Sequence, residues 1–441
     1  MDSLTDEFEP AIAAAVGLMN RYLEVPSTML AGSFGDPLIS DLSNLAVVLL
    51  SVQDLLQPAA HAIGQDPQLQ DLLRTRNGQQ PFMNELAGGS RLDTNPREFA
   101  LQLLVAATKW EYVLRRPITS AGFRSRLDED LTYLRAGLGG QEIPTLRIVG
   151  FAGLPLETDS IVQTVWGKVI PTPKPSLSAM IAAASSGPGA VGASALLLLE
   201  RTYQPQVSWE AMPPLLLPEL SADRIFMLVS LAFLLATERK QRVGPTVLWT
   251  IALPRFIGLS FGSVRYQFGP IWSTRADPLT ADELDAVARW SAVLESQHNP
   301  NIDLAVRRCL SSGALRLDPA DRLMDAVIAW ENLFGASPET SFRLAAAISK
   351  LLTTVADERR ALLKRLLELY RRRSEVAHGA NLQSAQEDAD EALDIAVRCL
   401  RKLYQDRTDL LSLAKSIERA NDLLLIDSPN SASLGIAVDG A

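Results

Sequence analysis

The chain holds 441 residues, and 42 Lys and Arg against 51 Asp and Glu leave it a formal charge of −9. That length gives room for two or three domains, and 47% hydrophobic with 21% charged residues excludes disorder as the general state. Cys309 and Cys399 stand far apart and form no CxxC pair, and three histidines are few for a protein-built zinc centre, so neither a disulfide framework nor a metal or other cofactor is expected.

The first ten residues, MDSLTDEFEP, are acidic where an export signal would be basic and then apolar, which points to the cytoplasm. Residues 1–140 read mainly as helices: Leu42–Leu56 and Glu98–Leu114 carry apolar residues at helical spacing, with loops at Asn77-Gly78 and Ala87-Gly88-Gly89-Ser90. Between 141 and 277 the texture is α+β. Short strands are expected within Ile143–Pro175, and Val247, Trp249 and Ile251 alternate as a strand does. Val264, Tyr266 and Phe268 form the second arm of a hairpin near a Gly262-Ser263 turn. The uncharged stretch Pro175–Leu199 invites a membrane reading, but Gly and Ser in its middle fit two buried helices joined by a turn better, and Ile225–Ala236 is too short to span. No membrane contact is expected, and a membrane-associated scaffold through 175–236 is the weakest of the readings. Gly187-Pro188-Gly189-Ala190-Val191-Gly192 matches GxGxxG, yet it follows an Ala-rich, helix-like run and lacks the strand a dinucleotide loop needs, so it reads as an interhelical turn.

From 278 to 425 capped helices follow one another, at about 280–297, 301–312, 319–334, 338–354, 357–378, 385–405 and 408–424. Thr280 with Glu283 and Ser384 with Glu387 have capping-box spacing, and Ser337-Pro338-Glu339 offers an N-cap and a proline at the first helical position. Residues 426–441 read as a flexible tail. The expected fold is an α+β N-terminal region followed by an all-α bundle, mainly α overall.

Within that bundle, Glu358–Asn381 concentrates positive charge in a net-acidic chain. Most of its arginines fit a solvated helix face, but Arg373 falls between Leu362 and Leu366 on the apolar side, where a guanidinium must be paired or put to use. His378 follows five residues later, about 140° around an ideal helix, and the two converge only if the helix ends and turns at Gly379.

Ala329-Trp330-Glu331-Asn332-Leu333-Phe334-Gly335, then Phe342-Arg343-Leu344-Ala345, then Tyr370-x-x-Arg373-Ser374-x-x-x-His378-Gly379 resemble the Apea-like branch of the HEPN superfamily, over a core of about 318–405. The resemblance implies a HEPN-type helical bundle and a metal-independent endoribonuclease whose Arg-x4-His motifs meet across a homodimer or higher even oligomer, in the manner of defence or toxin-type effectors. It implies Arg373 and His378 as the catalytic pair, with Ser374, Glu331, Arg343 and Tyr370 in support and Glu331 as the charge partner of Arg373. Arg371, Arg372, Lys364 and Arg365 are then the RNA-contacting cations. Where HEPN proteins paired with nucleotidyltransferase antitoxins carry His-x-Tyr, this chain has Ala380. The residue types suit the chemistry, because imidazole moves protons near neutral pH and guanidinium holds phosphate charge. The alternative is a catalytically inactive HEPN module for RNA binding or dimerisation, with the N-terminal region sensing an unknown trigger or partner.

Overall fold

Apolar residues at helical spacing in the first third of the chain fold as α1 (Glu9–Glu24), α2 (Pro37–Leu49), α3 (Gln57–Gln65), α4 (Pro67–Leu72), α5 (Pro96–Val113) and α6 (Ser120–Leu138). This computed structural model describes residues 4–24, 37–76, 79–85, 88–91, 94–173, 193–209, 220–237, 245–253, 255–256, 265–266, 277–335, 340–378 and 385–426. Helix α5 starts where Asn95 accepts the Arg97 N–H and Pro96 occupies the first position, and its residues Phe99–Val113 are buried throughout.

Two antiparallel arrangements accompany these helices. In the smaller, β1 (Phe82–Glu85) lies between β2 (Gly88–Arg91) and β7 (Gln206–Ser208). Gly88-Gly89-Ser90, expected as loop, is therefore strand: backbone pairing with β1 needs no side-chain pattern, so glycines hid it. The larger sheet has the order β4 (Val162–Gln163), β5 (Lys168–Pro171), β6 (Ala195–Tyr203), β3 (Ile143–Ala152), β8 (Thr246–Leu253), β9 (Arg265–Tyr266). Strands β3 and β6 stay in register from Ile143↔Tyr203 to Phe151↔Ala195. Gly150 is required on β3, because a Cβ there would run into the ring of Trp249 on β8.

The expected helix reaching Leu199 is corrected by β6. Ala195–Leu199 are all buried, so the run shows no alternation and reads equally well as a buried helix. The rest of Pro175–Leu199 up to Gly192, with the GxGxxG run, lies outside the described residues. Strand β9 pairs antiparallel with β8 through Trp249↔Tyr266, while the Gly262-Ser263 turn also lies outside them.

By contacts the chain divides into two compact units, residues 1–222 with 247–278, and residues 223–246 with 279–441. The division expected at 140 does not separate two cores: one cluster runs from Phe8 and Leu42 through Leu104 and Leu131 to Leu196 and Trp249, because α1–α6 and the sheets share buried faces.

The second unit is helical. It comprises α7 (Leu220–Ala236, from Asp223 on), α8 (Ala281–Gln297), α9 (Asp303–Leu310), α10 (Pro319–Phe334), α11 (Thr340–Leu352), α12 (Ala356–Ala377), α13 (Ala385–Asp406), α14 (Thr408–Leu411) and α15 (Ser416–Asn421). The helix expected at 301–312 is divided between a 3-10 turn, α9 and a π turn at Ser311–Leu315, and that expected at 408–424 breaks between α14 and α15. At α8 the Thr280 hydroxyl accepts the Glu283 N–H at 3.3 Å and Glu283 accepts the Thr280 N–H at 2.9 Å, a complete capping box. Ser337, Ser384 and the tail from Asp427 lie outside the described residues. Helix α10 packs against α9, α11, α12, α13 and α15, and Trp330 Nε1 donates to the Ala392 carbonyl at 3.1 Å.

Among the described residues one helical stretch, Asn44–Gln65, is long and apolar enough to cross a membrane, but Leu45, Leu49, Val52, Leu56, Ala59 and Ile63 on it belong to the buried core. The chain is thus mainly helical, and among the described residues its antiparallel sheets belong to the first unit apart from Thr246, the first residue of β8.

Candidate active site

Helix α10 is buried along Leu323, Ala326, Val327, Trp330, Leu333 and Phe334, and Glu331 stands at the margin of that face with its side chain about a quarter exposed. Helix α12 buries Leu366 and Leu369, which brings Tyr370 and Arg373, three residues apart and on one side, against the same margin. Tyr370 Oη donates to Glu331 Oε1 at 2.8 Å, and Arg373 Nη2 donates to Glu331 Oε2 at 3.4 Å. The guanidinium carbon of Arg373 lies 6.0 Å from the centre of the Tyr370 ring, and Arg373 Nε is buried with no hydrogen-bond partner. Burial first, and then the bond to the Glu331 carboxylate, push the Tyr370 hydroxyl up to about 12, so it stays a donor. Glu331, Tyr370 and Arg373 therefore form one cluster of an acid, a hydroxyl and a cation.

His378 is elsewhere on the helix. α12 runs to Ala377 and His378 is its C-cap, with its N–H directed to the carbonyls of Ser374 and Glu375 at 3.2 and 3.1 Å. Its side chain is exposed and makes no hydrogen bond to the described residues. Because the helix does not turn before His378, the angular gap of about 140° from Arg373 persists within the protomer. Ser374 is half-buried beside this end, and Gly379 and Ala380 lie outside the described residues.

The remaining candidates are dispersed. Arg343 on α11 donates to Asn421 on α15 and so joins those helices. Arg365 meets Glu391 at 2.6 Å and Asp388 and Glu368 at 2.9 Å each, Arg372 meets Glu368 at 3.0 Å and also Asp388, and Arg371 meets Glu375. Lys364 is exposed. The acids within α12 at helical spacing, together with the first turns of α13, neutralise the basic helix from inside the chain. Asp388 and Glu391 lie far enough along the sequence to be missed when α12 is read alone.

Other polar centres carried no sequence signal. Asp325 on α10 is buried, which raises its carboxyl, yet hydrogen bonds from Ser311, Arg316 and Arg308 hold it below the usual range on balance. His298, the C-cap of α8, is buried between Tyr404 and Asp303. A groove of about 640 Å³ lined by Trp290, Arg289, Arg401 and Gln405 among others contains none of the candidate residues. Among the described residues no three His, Cys, Asp or Glu side chains gather as a metal would require.

No family model, curated protein or solved structure matched the chain.

Proposed function

We propose that the second unit is a HEPN-type bundle that cleaves RNA without a metal, as a dimer or higher even oligomer, in a defence or toxin-type role. The observation that carries this reading is the Glu331–Tyr370–Arg373 cluster, whose Tyr370 and Arg373 stand on the helix that ends in an exposed His378: a cation held on a half-buried surface, and an exposed imidazole at the same helix's C-cap. In the proposed reaction one His378 takes the proton of a 2′-hydroxyl, and the freed oxygen attacks the adjacent phosphorus. The bond to the 5′-oxygen breaks, and a second His378, from the dimer partner, returns a proton to that leaving oxygen. The products are a 2′,3′-cyclic phosphate and a 5′-hydroxyl. Arg373 balances the charge that builds on the non-bridging oxygens. Two imidazoles per phosphate favour a two-fold assembly, since one cannot act as base and acid at the same instant.

Cleavage gels with Arg373→Ala and His378→Ala proteins, each checked for helicity by circular dichroism, test this. Each variant is expected to lose about 10²-fold or more of the cutting rate while remaining folded. Activity should survive EDTA, and DNA of the same sequence should be spared. Wild-type cutting by the His378→Ala protein would remove the mechanism.

The second reading, an inactive RNA-binding or dimerisation module, is favoured by the carboxylates that occupy Arg365, Arg371 and Arg372. It predicts oligomerisation by light scattering together with no cleavage by the wild-type protein at any concentration.

A further inference from the structure

His298 closes α8 at a point where four helices of the second unit meet, and its side chain is fully buried. Nδ1 lies 2.7 Å from Tyr404 Oη on α13, and Nε2 lies 2.8 Å from Asp303 Oδ1 at the start of α9. The backbone carbonyl of His298 accepts from Arg224 Nη2 on α7 at 3.3 Å. The Tyr404 ring also meets the edge of Trp290 from α8, with centroids 6.4 Å apart.

These contacts fix the tautomer. A carboxylate only accepts, so Nε2 carries the hydrogen toward Asp303, and the lone pair on Nδ1 accepts the hydrogen of the Tyr404 hydroxyl. Burial keeps Tyr404 far above the ordinary tyrosine range, so that hydroxyl hydrogen is always present. A proton added to Nδ1 would face an oxygen whose own hydrogen already points at it. The hydroxyl must then rotate away and lose its acceptor in a buried place.

We propose that His298 is a proton-operated latch: the neutral Nε2–H imidazole holds α8, α9 and α13 together at this end of the unit, and protonation of Nδ1 releases Tyr404 and loosens it.

The charges around the ring set the direction. Burial disfavours the imidazolium and Arg224 on α7 adds to that, whereas Asp303 on α9 favours it and is itself shared with Arg307 at 3.7 Å. Tyr404 on α13 contributes no charge, and Cys309 on α9 sits near enough to Tyr404 to reinforce its neutral state. The balance is a histidine held below its ordinary value of about 6.5. The loosened state, with its imidazole in water, binds the proton more readily, so falling pH favours loosening below about 6.5.

Two measurements on the full chain test this. The first is an NMR titration of the three imidazole Cε1–H signals, with that of His298 assigned by its loss in the His298→Gln protein. It is expected to stay neutral through pH 6.5 and to titrate lower, together with broadening from exchange. Titration at or above 6.5 would overturn the proposal without reliance on any variant. The second is hydrogen exchange read by mass spectrometry at pH 7.5 and 5.5, corrected for the chemical rate. Amides of Ala281–Gln297 and of the last turns of α13 should open several-fold more at the lower pH. In His298→Gln, whose amide can still donate to Asp303 but does not titrate, that acid effect should vanish. An equal acid effect in both proteins would overturn the latch.

Discussion

Arg419 is a buried cation that donates to three backbone carbonyls: Nε to Leu333 at 2.8 Å, Nη2 to Asn332 at 2.6 Å and Nη1 to Leu413 at 2.6 Å. Leu333 and Asn332 close α10, so the guanidinium sits against the negative end of that helix and satisfies carbonyls the helix leaves open. Arg419→Met should destabilise the second unit by about 3–5 kcal/mol in chemical denaturation, because several buried acceptors lose their donors together. Arg419→Lys should recover only part of this, since an ammonium cannot span the same fork. Lys109 on α5 is a second buried cation. Burial depresses its ammonium to about 7, so over pH 7–10.5 the unfolded chain binds the proton more than the folded one, and stability rises with pH across that window. The melting temperature of Lys109→Met relative to wild type should therefore fall as thermal scans are repeated from pH 7 toward pH 10. Neither residue could be recognised in the sequence, where each is one cation among 42. His298 was equally hidden, because Asp303 and Tyr404 reach it from other helices. Arg373 was legible, since a charge on an apolar helical face stands out without knowledge of its partner, whereas Glu331 was expected only through the family resemblance.

At the scale of elements, the helices between 280 and 406 were readable because each pairs a 3.6-residue apolar stripe with a polar face and, at α8 and α10, a side-chain cap. Thr280→Ala should cost about 1 kcal/mol, measured as a lowered denaturation midpoint, through loss of the capping box. Strands were harder to read. β6 is buried on both faces over Ala195–Leu199 and so lacks the alternation by which β8 was found. The constraint at β3 lies in what a glycine omits: Gly150 leaves room for the Trp249 ring. Gly150→Ala should cost about 1–3 kcal/mol by overpacking and should change Trp fluorescence at the sheet before global unfolding. The basic helix α12 gives the complementary lesson, as its charge looked available in sequence while α13 supplies carboxylates that no local window contains.

For the whole molecule, the second unit is not continuous in sequence, since residues 223–246 belong to it although 247–278 return to the first. Arg401 Nε and Nη2 donate at 2.8 Å to the carbonyls of Leu235 and Thr237, capping the end of α7. A fragment of residues 279–441 should therefore bind an apolar dye and melt with a broadened transition. A peptide of residues 220–237 added in trans should sharpen that transition, and an unchanged melt would show that α7 contributes little.

The same break in continuity sets a clock during synthesis. At about 5–20 residues per second, Arg401 is added roughly ten to thirty seconds after Ala236. Through that interval α7, whose Leu228, Val229, Leu231 and Phe233 are buried in the finished protein, has no completed unit to enter. The nascent chain thus carries an apolar helix that must be shielded until its destination has been translated, and synthesis speed between Ala236 and Arg401 becomes a determinant of yield.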